Sequence, residues 1–118
     1  MSRISLVPVA ALAAFAVAAA PASAAVPTLV GTVGPGFTIT LTKGGAKVKT
    51  LKAGKYMLVV RDKSNIHDFH IKGPGLNKVV TSVSFVGTKK ITIVLKAGKY
   101  SYVCDPHVPT MHGAFKVG

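Results

Sequence analysis

The chain has 118 residues, with fifteen Lys/Arg against three Asp/Glu, for a formal charge of +12. A single cysteine excludes an internal disulfide framework, and the absence of any C-x-x-C-H excludes covalent haem attachment. The lysines are scattered along the chain with no nucleic-acid motif, which argues against nucleic acid. Outside the cytoplasm such charge suits an acidic protein or an anionic membrane surface, or serves solubility alone.

The first element in chain order is a leader. Arg3 precedes an uncharged Ala/Val/Leu-rich run from Ile4 to about Ala20, and Ala22-Ser23-Ala24 offers a cleavage site. This three-part pattern predicts a secretory signal peptide over residues 1–24, cut after Ala24, and hence a periplasmic or secreted protein. The remaining residues 25–118 are one domain, large enough for a modest core.

That domain reads as all-β. The segments Phe37–Thr42, Lys55–Asp62, His67–Ile71, Lys89–Leu95, Lys99–Cys104 and Gly113–Val117 are rich in β-branched and aromatic residues, several with period-two alternation. Val30–Val33, Lys47–Leu51 and Val83–Val86 are further predicted strands, and Gly/Pro pairs punctuate the intervals. The pattern predicts a Greek-key sandwich or barrel of seven to eight strands. The sequence LKAGKY occurs twice, at Leu51–Tyr56 and Leu95–Tyr100, and is read as one hairpin turn used twice. Tyr56, Tyr100, Tyr102, Phe69, Phe115 and Met57 are predicted to pack in the core.

Chemistry concentrates in two places. In His67–Ile71, His67 and His70 fall on opposite faces of a strand, so only one of them can face a common site. Near the C-terminus, YVCDPHVPTMHG (Tyr102–Gly113) sets Cys104, His107 and Met111 on one short segment stiffened by Pro106 and Pro109. An unpaired cysteine in an oxidising compartment is an intermolecular disulfide, an inert buried thiol or a metal ligand. The neighbouring imidazole and thioether favour the last. Thiolate, imidazole and thioether together select copper, whereas zinc prefers a fourth strong ligand.

With these residues in place, the chain resembles a cupredoxin, a small blue copper protein of the plastocyanin, pseudoazurin and amicyanin group. The resemblance covers nearly all of residues 25–118 and is most specific in IHDF and YVCDPHVPTMHGAFKV. It implies one copper ion held by His67, Cys104, His107 and Met111, with Asp68, Asp105 and Pro106 supporting the ligand loops. Asp68 and Asp105 depart from the family, which places an amide and a hydroxyl there. Two carboxylates could coexist if one is protonated, if each takes backbone N–H groups, or if the loops are held differently. The resemblance also implies an exposed His107 edge inside an apolar collar, for which Gly34–Gly36, Gly73–Gly75, Val108 and Pro109 are available. The expected function is single-electron transfer by Cu(I)/Cu(II) cycling with transient acidic redox partners, by a monomer. A copper carrier using the same site is the alternative. An enzyme is not expected, since His70 and His112 are too few to build a second copper centre.

Overall fold

In the computed structural model the described residues are 25–118, so the predicted leader and its cleavage after Ala24 lie outside them. Strands β1 (Thr28–Val33), β2 (Ile39–Lys43), β3 (Ala46–Lys47) and β4 (Thr50–Leu51) are followed by the long β5 (Gly54–Asp62). Then come β6 (Phe69–Gly73), β7 (Leu76–Thr81), β8 (Gly87–Leu95), β9 (Gly98–Val103) and β10 (His112–Val117). They form two five-stranded sheets, ordered β3-β2-β1-β5-β8 and β4-β10-β9-β6-β7. The chain crosses between the sheets five times, so half of the neighbouring strand pairs are not consecutive in sequence.

The alternation seen in the sequence is what closes the sandwich. Tyr56, Leu58 and Val60 of β5 point inward, as do Ile93 and Leu95 of β8, Tyr100 and Tyr102 of β9, and Phe115 and Val117 of β10. Aromatic rings link the second sheet's inner face: Phe69 stacks on Tyr102 at 5.8 Å and Tyr100 on Phe115 at 5.3 Å. Gly113 lies opposite Tyr102 in the β9–β10 ladder, and a Cβ there would overlap the Tyr102 ring. The predicted core aromatics are therefore in place. Met57 is not: the strand's period turns it outward, where it is 37 % exposed.

Ten strands replace the expected seven or eight: one predicted strand is split and one is new, while a third predicted segment is no strand. The predicted strand Lys47–Leu51 breaks at a corner, with β3 in one sheet and β4 in the other, and Val48 buried between them. β7 has a mostly exposed burial pattern with no clear alternation, and it forms because the turn after Gly73 folds it back onto β6. Val83–Val86 is a turn instead of a strand; Val83 and Val86 stay exposed, and Phe85 lies under Lys89 with the ammonium 4.6 Å from the ring centroid.

The LKAGKY repeat is not a hairpin. Its first copy carries the chain from β4 to β5 and its second from β8 to β9, each time from one sheet to the other. In both copies the tyrosine hydroxyl bonds to the backbone four residues back. Tyr56 donates to the Lys52 carbonyl at 2.7 Å, while the Tyr100 hydroxyl accepts from the Lys96 N–H at 2.9 Å and donates to the Pro74 carbonyl. The repeat thus pins two corners at one end of the sandwich. From there β5 and β9 run to the other end, where the sequence motifs converge.

Candidate metal centre

His67 and Asp68 lie on the segment joining β5 of one sheet to β6 of the other, just before β6 begins. That segment is shaped locally: the Ser64 N–H donates to the Asp62 carboxylate at 3.1 Å, and the Ile66 N–H to the Ser64 hydroxyl. Gly34, at the end of β1, sits against it with φ +68°; a Cβ there would stand 3.0 Å from Ser64 Cβ and 3.4 Å from the His67 ring. The position therefore needs glycine for both its backbone and its neighbour.

Cys104 follows β9, and a short 3-10 turn, Asp105–His107, carries His107. The loop closes on itself. The Cys104 N–H donates to the Met111 carbonyl at 3.0 Å, and the Met111 N–H to the His107 carbonyl at 2.8 Å. Met111 is fully buried.

The two motifs meet. His67 Nδ1 lies 3.1 Å from His107 Nδ1, and Cys104 Sγ lies 3.6 Å and 3.5 Å from the two nitrogens. A point equidistant from the three atoms is about 2 Å from each, the length of a metal–imidazole bond. Among the described residues this is the one cluster of at least three His, Cys or acidic groups that could hold a metal. His67 is fully buried, and its Nε2 has no hydrogen-bond partner, so only Nδ1 is engaged. Burial raises the Cys104 thiol pKa, but the N–H groups of Asp68 and His107 act the other way and favour the thiolate. A cation between the three atoms would tip that balance to the thiolate. The donor set therefore fits a soft or borderline ion.

The two aspartates are accommodated differently. Asp68 Oδ1 accepts the Asp105 N–H at 2.6 Å, tying the His67 segment to the Cys104 loop, whereas the Asp105 carboxylate turns outward to His70 Nδ1 at 2.9 Å. His70 stands outside the cluster and bridges Asp105 and Asn77. Burial raises Asp68 from the ordinary 3.8 to about 6, with the Asp105 carboxyl adding to the rise. Asp105 is held below the usual range, chiefly by Asp68 and further by His70. Between 3.8 and about 6 the folded protein keeps a proton on Asp68 that the unfolded chain has lost, so this group's contribution to stability falls as pH rises across that window. The metal-free protein should show this as a declining urea midpoint, and Asp68→Asn should flatten it. An unchanged slope in the variant would place the proton elsewhere.

One residue at the site escaped the sequence reading. Phe37, which the sequence predicts at the start of a strand, precedes β2 and stands edge-on to both imidazoles, 5.3 Å from His67 and 5.0 Å from His107, while remaining 55 % exposed. The only hint was a bulky aromatic directly after Gly34-Pro35-Gly36. Ile66 and Val108, each beside a ligand-type histidine in sequence, are also exposed. Gly73–Gly75, by contrast, is not part of any collar. It lies at the far end of β6, packed on Tyr100 and Gly98.

No protein-family model and no curated protein matches the chain. Solved structures do. A structure of the copper protein rusticyanin aligns with TM-score 0.56 and 24 % identity, covering 77 % of this chain and 76 % of that one. Reduced rusticyanin aligns with TM-score 0.53 and 26 % identity over 77 % and 78 % of the two chains, and an NMR structure of the reduced protein gives 0.52 and 26 % over 77 % and 76 %. Rusticyanin is a cupredoxin, and the fold expected from the sequence is the fold found.

Proposed function

We propose that this chain is an exported, mononuclear type 1 copper protein that carries single electrons between redox partners and is not an enzyme. The observation that carries the reading is the meeting of a buried thiol and two imidazole nitrogens, all within 3.6 Å, from segments 37 residues apart. His67, Cys104 and His107 would supply the strong ligands and Met111 a weaker thioether, a set that copper favours. Bound there, copper would supply a one-electron couple.

The polypeptide's part is to hold donors still and keep water out. His67 and Cys104 are buried, and the Asp68–Asp105 bond keeps their segments in register. His107 is only partly buried, with Phe37 across its edge, so a partner can approach that imidazole closely without opening the site. Small, transient interfaces suit such exchange. The spare histidines do not form a second centre: His70 serves Asp105, and His112 Nδ1 pairs with the Val108 carbonyl.

Adding Cu(II) to the protein from Ala25 onward should produce an intense visible thiolate-to-copper band, lost in Cys104→Ser. A colourless complex, or a band that persists in the variant, would overturn the reading.

A further inference from the structure

Folding separates the chain's charges. All three acidic side chains of the sequence lie at the end that gathers His67, Cys104 and His107: Asp62 closes β5, Asp68 follows His67, and Asp105 follows Cys104. The opposite end collects lysines that looked scattered in sequence. Lys43 ends β2, Lys52 and Lys96 occupy the two corner turns, Lys55 and Lys99 lie at the starts of β5 and β9, and Lys49 and Lys116 flank the β4–β10 pairing. All seven are exposed. Lys43, Lys52 and Lys55 line a cleft of about 630 Å³, and Lys49, Lys99 and Lys116 line a second of about 340 Å³.

We propose that this lysine pole docks on an anionic membrane surface and holds the metal end away from the bilayer. The pole is a poor place for an electron-exchange partner, because the eight steps along β5 separate it from the site by about 26 Å. An extended anionic surface asks only for charge, and seven lysines without one acidic side chain among them meet that demand. The exposed apolar residues Phe37, Ile66 and Val108 belong to the other end and stay free for soluble partners. Segregation adds what net charge alone cannot, a preferred orientation. It depends on the polypeptide's charge alone, and the metal-free protein suffices to test it.

The experiment uses residues 25–118, which contain both sheets complete, and vesicles of phosphatidylcholine with or without phosphatidylglycerol. Cosedimentation should show binding only to the anionic vesicles, weakening as salt rises toward about 0.15 M. Combining Lys43→Gln, Lys52→Gln and Lys55→Gln should weaken binding about a hundredfold. Combining Lys63→Gln, Lys89→Gln and Lys90→Gln, an equal charge change nearer the site, should weaken it less than about threefold. Equal losses in the two sets, or no binding by the parent protein, would overturn the proposal. So would binding to a soluble polyaspartate peptide without binding to vesicles, which would assign the pole to an acidic protein. Because the chain has no tryptophan, Ala53→Trp and Val108→Trp report on the two ends separately. Brominated lipid should quench the first alone, and quenching of the second would mean that the metal end faces the bilayer.

Discussion

Loading the site with copper is expected to raise the thermal midpoint of the protein by about 15–30 °C. An ion present at about a thousand times its dissociation constant stabilises the folded state by about 4 kcal/mol. In a domain of this size each kcal/mol moves the midpoint by about 4–8 °C. The geometry makes the coupling direct, since His67 and Cys104 are 37 residues apart and one ion between them joins segments that separate on unfolding. His67→Ala should remove most of the copper-induced shift, each protein being measured against its own metal-free midpoint, and a chelator should reverse the shift in the parent protein. Differential scanning calorimetry with and without Cu(II) measures both. A shift below about 2 °C in the parent protein would mean that the cluster does not bind copper tightly in the folded state.

The largest purely structural effect is expected from Phe69→Ala, at about 3–5 kcal/mol. Phe69 is fully buried, stacks on Tyr102, and comes so close to Gly31 of the facing sheet that a Cβ there would stand 2.7 Å from its ring. It therefore joins both layers at the point where β6 leaves the His67 segment. Its loss leaves a cavity that Gly31 cannot fill, and it removes a large share of the about 5–15 kcal/mol that holds a typical domain folded. Phe85→Ala is the control: that ring is half-buried beneath Lys89, outside the core cluster, and its loss should cost about 1 kcal/mol or less. Equilibrium urea denaturation compares the two, and similar losses would mean that the inter-sheet contact of Phe69 is not the source of its stabilisation.

The ligand-type residues were legible in the sequence because their side chains are chemically rare. One cysteine and four histidines leave few combinations, but His67 and His70 part for a reason other than the strand period expected of them: His67 precedes β6, which begins only at Phe69. The strands with one buried face were legible for the same reason, their alternation being the imprint of the core. What was hidden depends on partners far along the chain. β7 is a strand because β6 is beside it, Val83–Val86 is not a strand because nothing covers it, and LKAGKY marks a change of sheet that no local pattern distinguishes from a hairpin. The place of Phe37 against two imidazoles, and the gathering of lysines from Lys43 to Lys116, exist only once the sandwich has closed.

The bond from the Cys104 N–H to the Met111 carbonyl continues the β9–β10 ladder by one more rung. Both sulfur-bearing residues therefore inherit the stiffness of a sheet. His107 rides on the span between them and inherits the compliance of a loop. If an ion held there changes charge as proposed, any small adjustment would fall on that single imidazole, at the boundary with solvent, and leave the interior undisturbed.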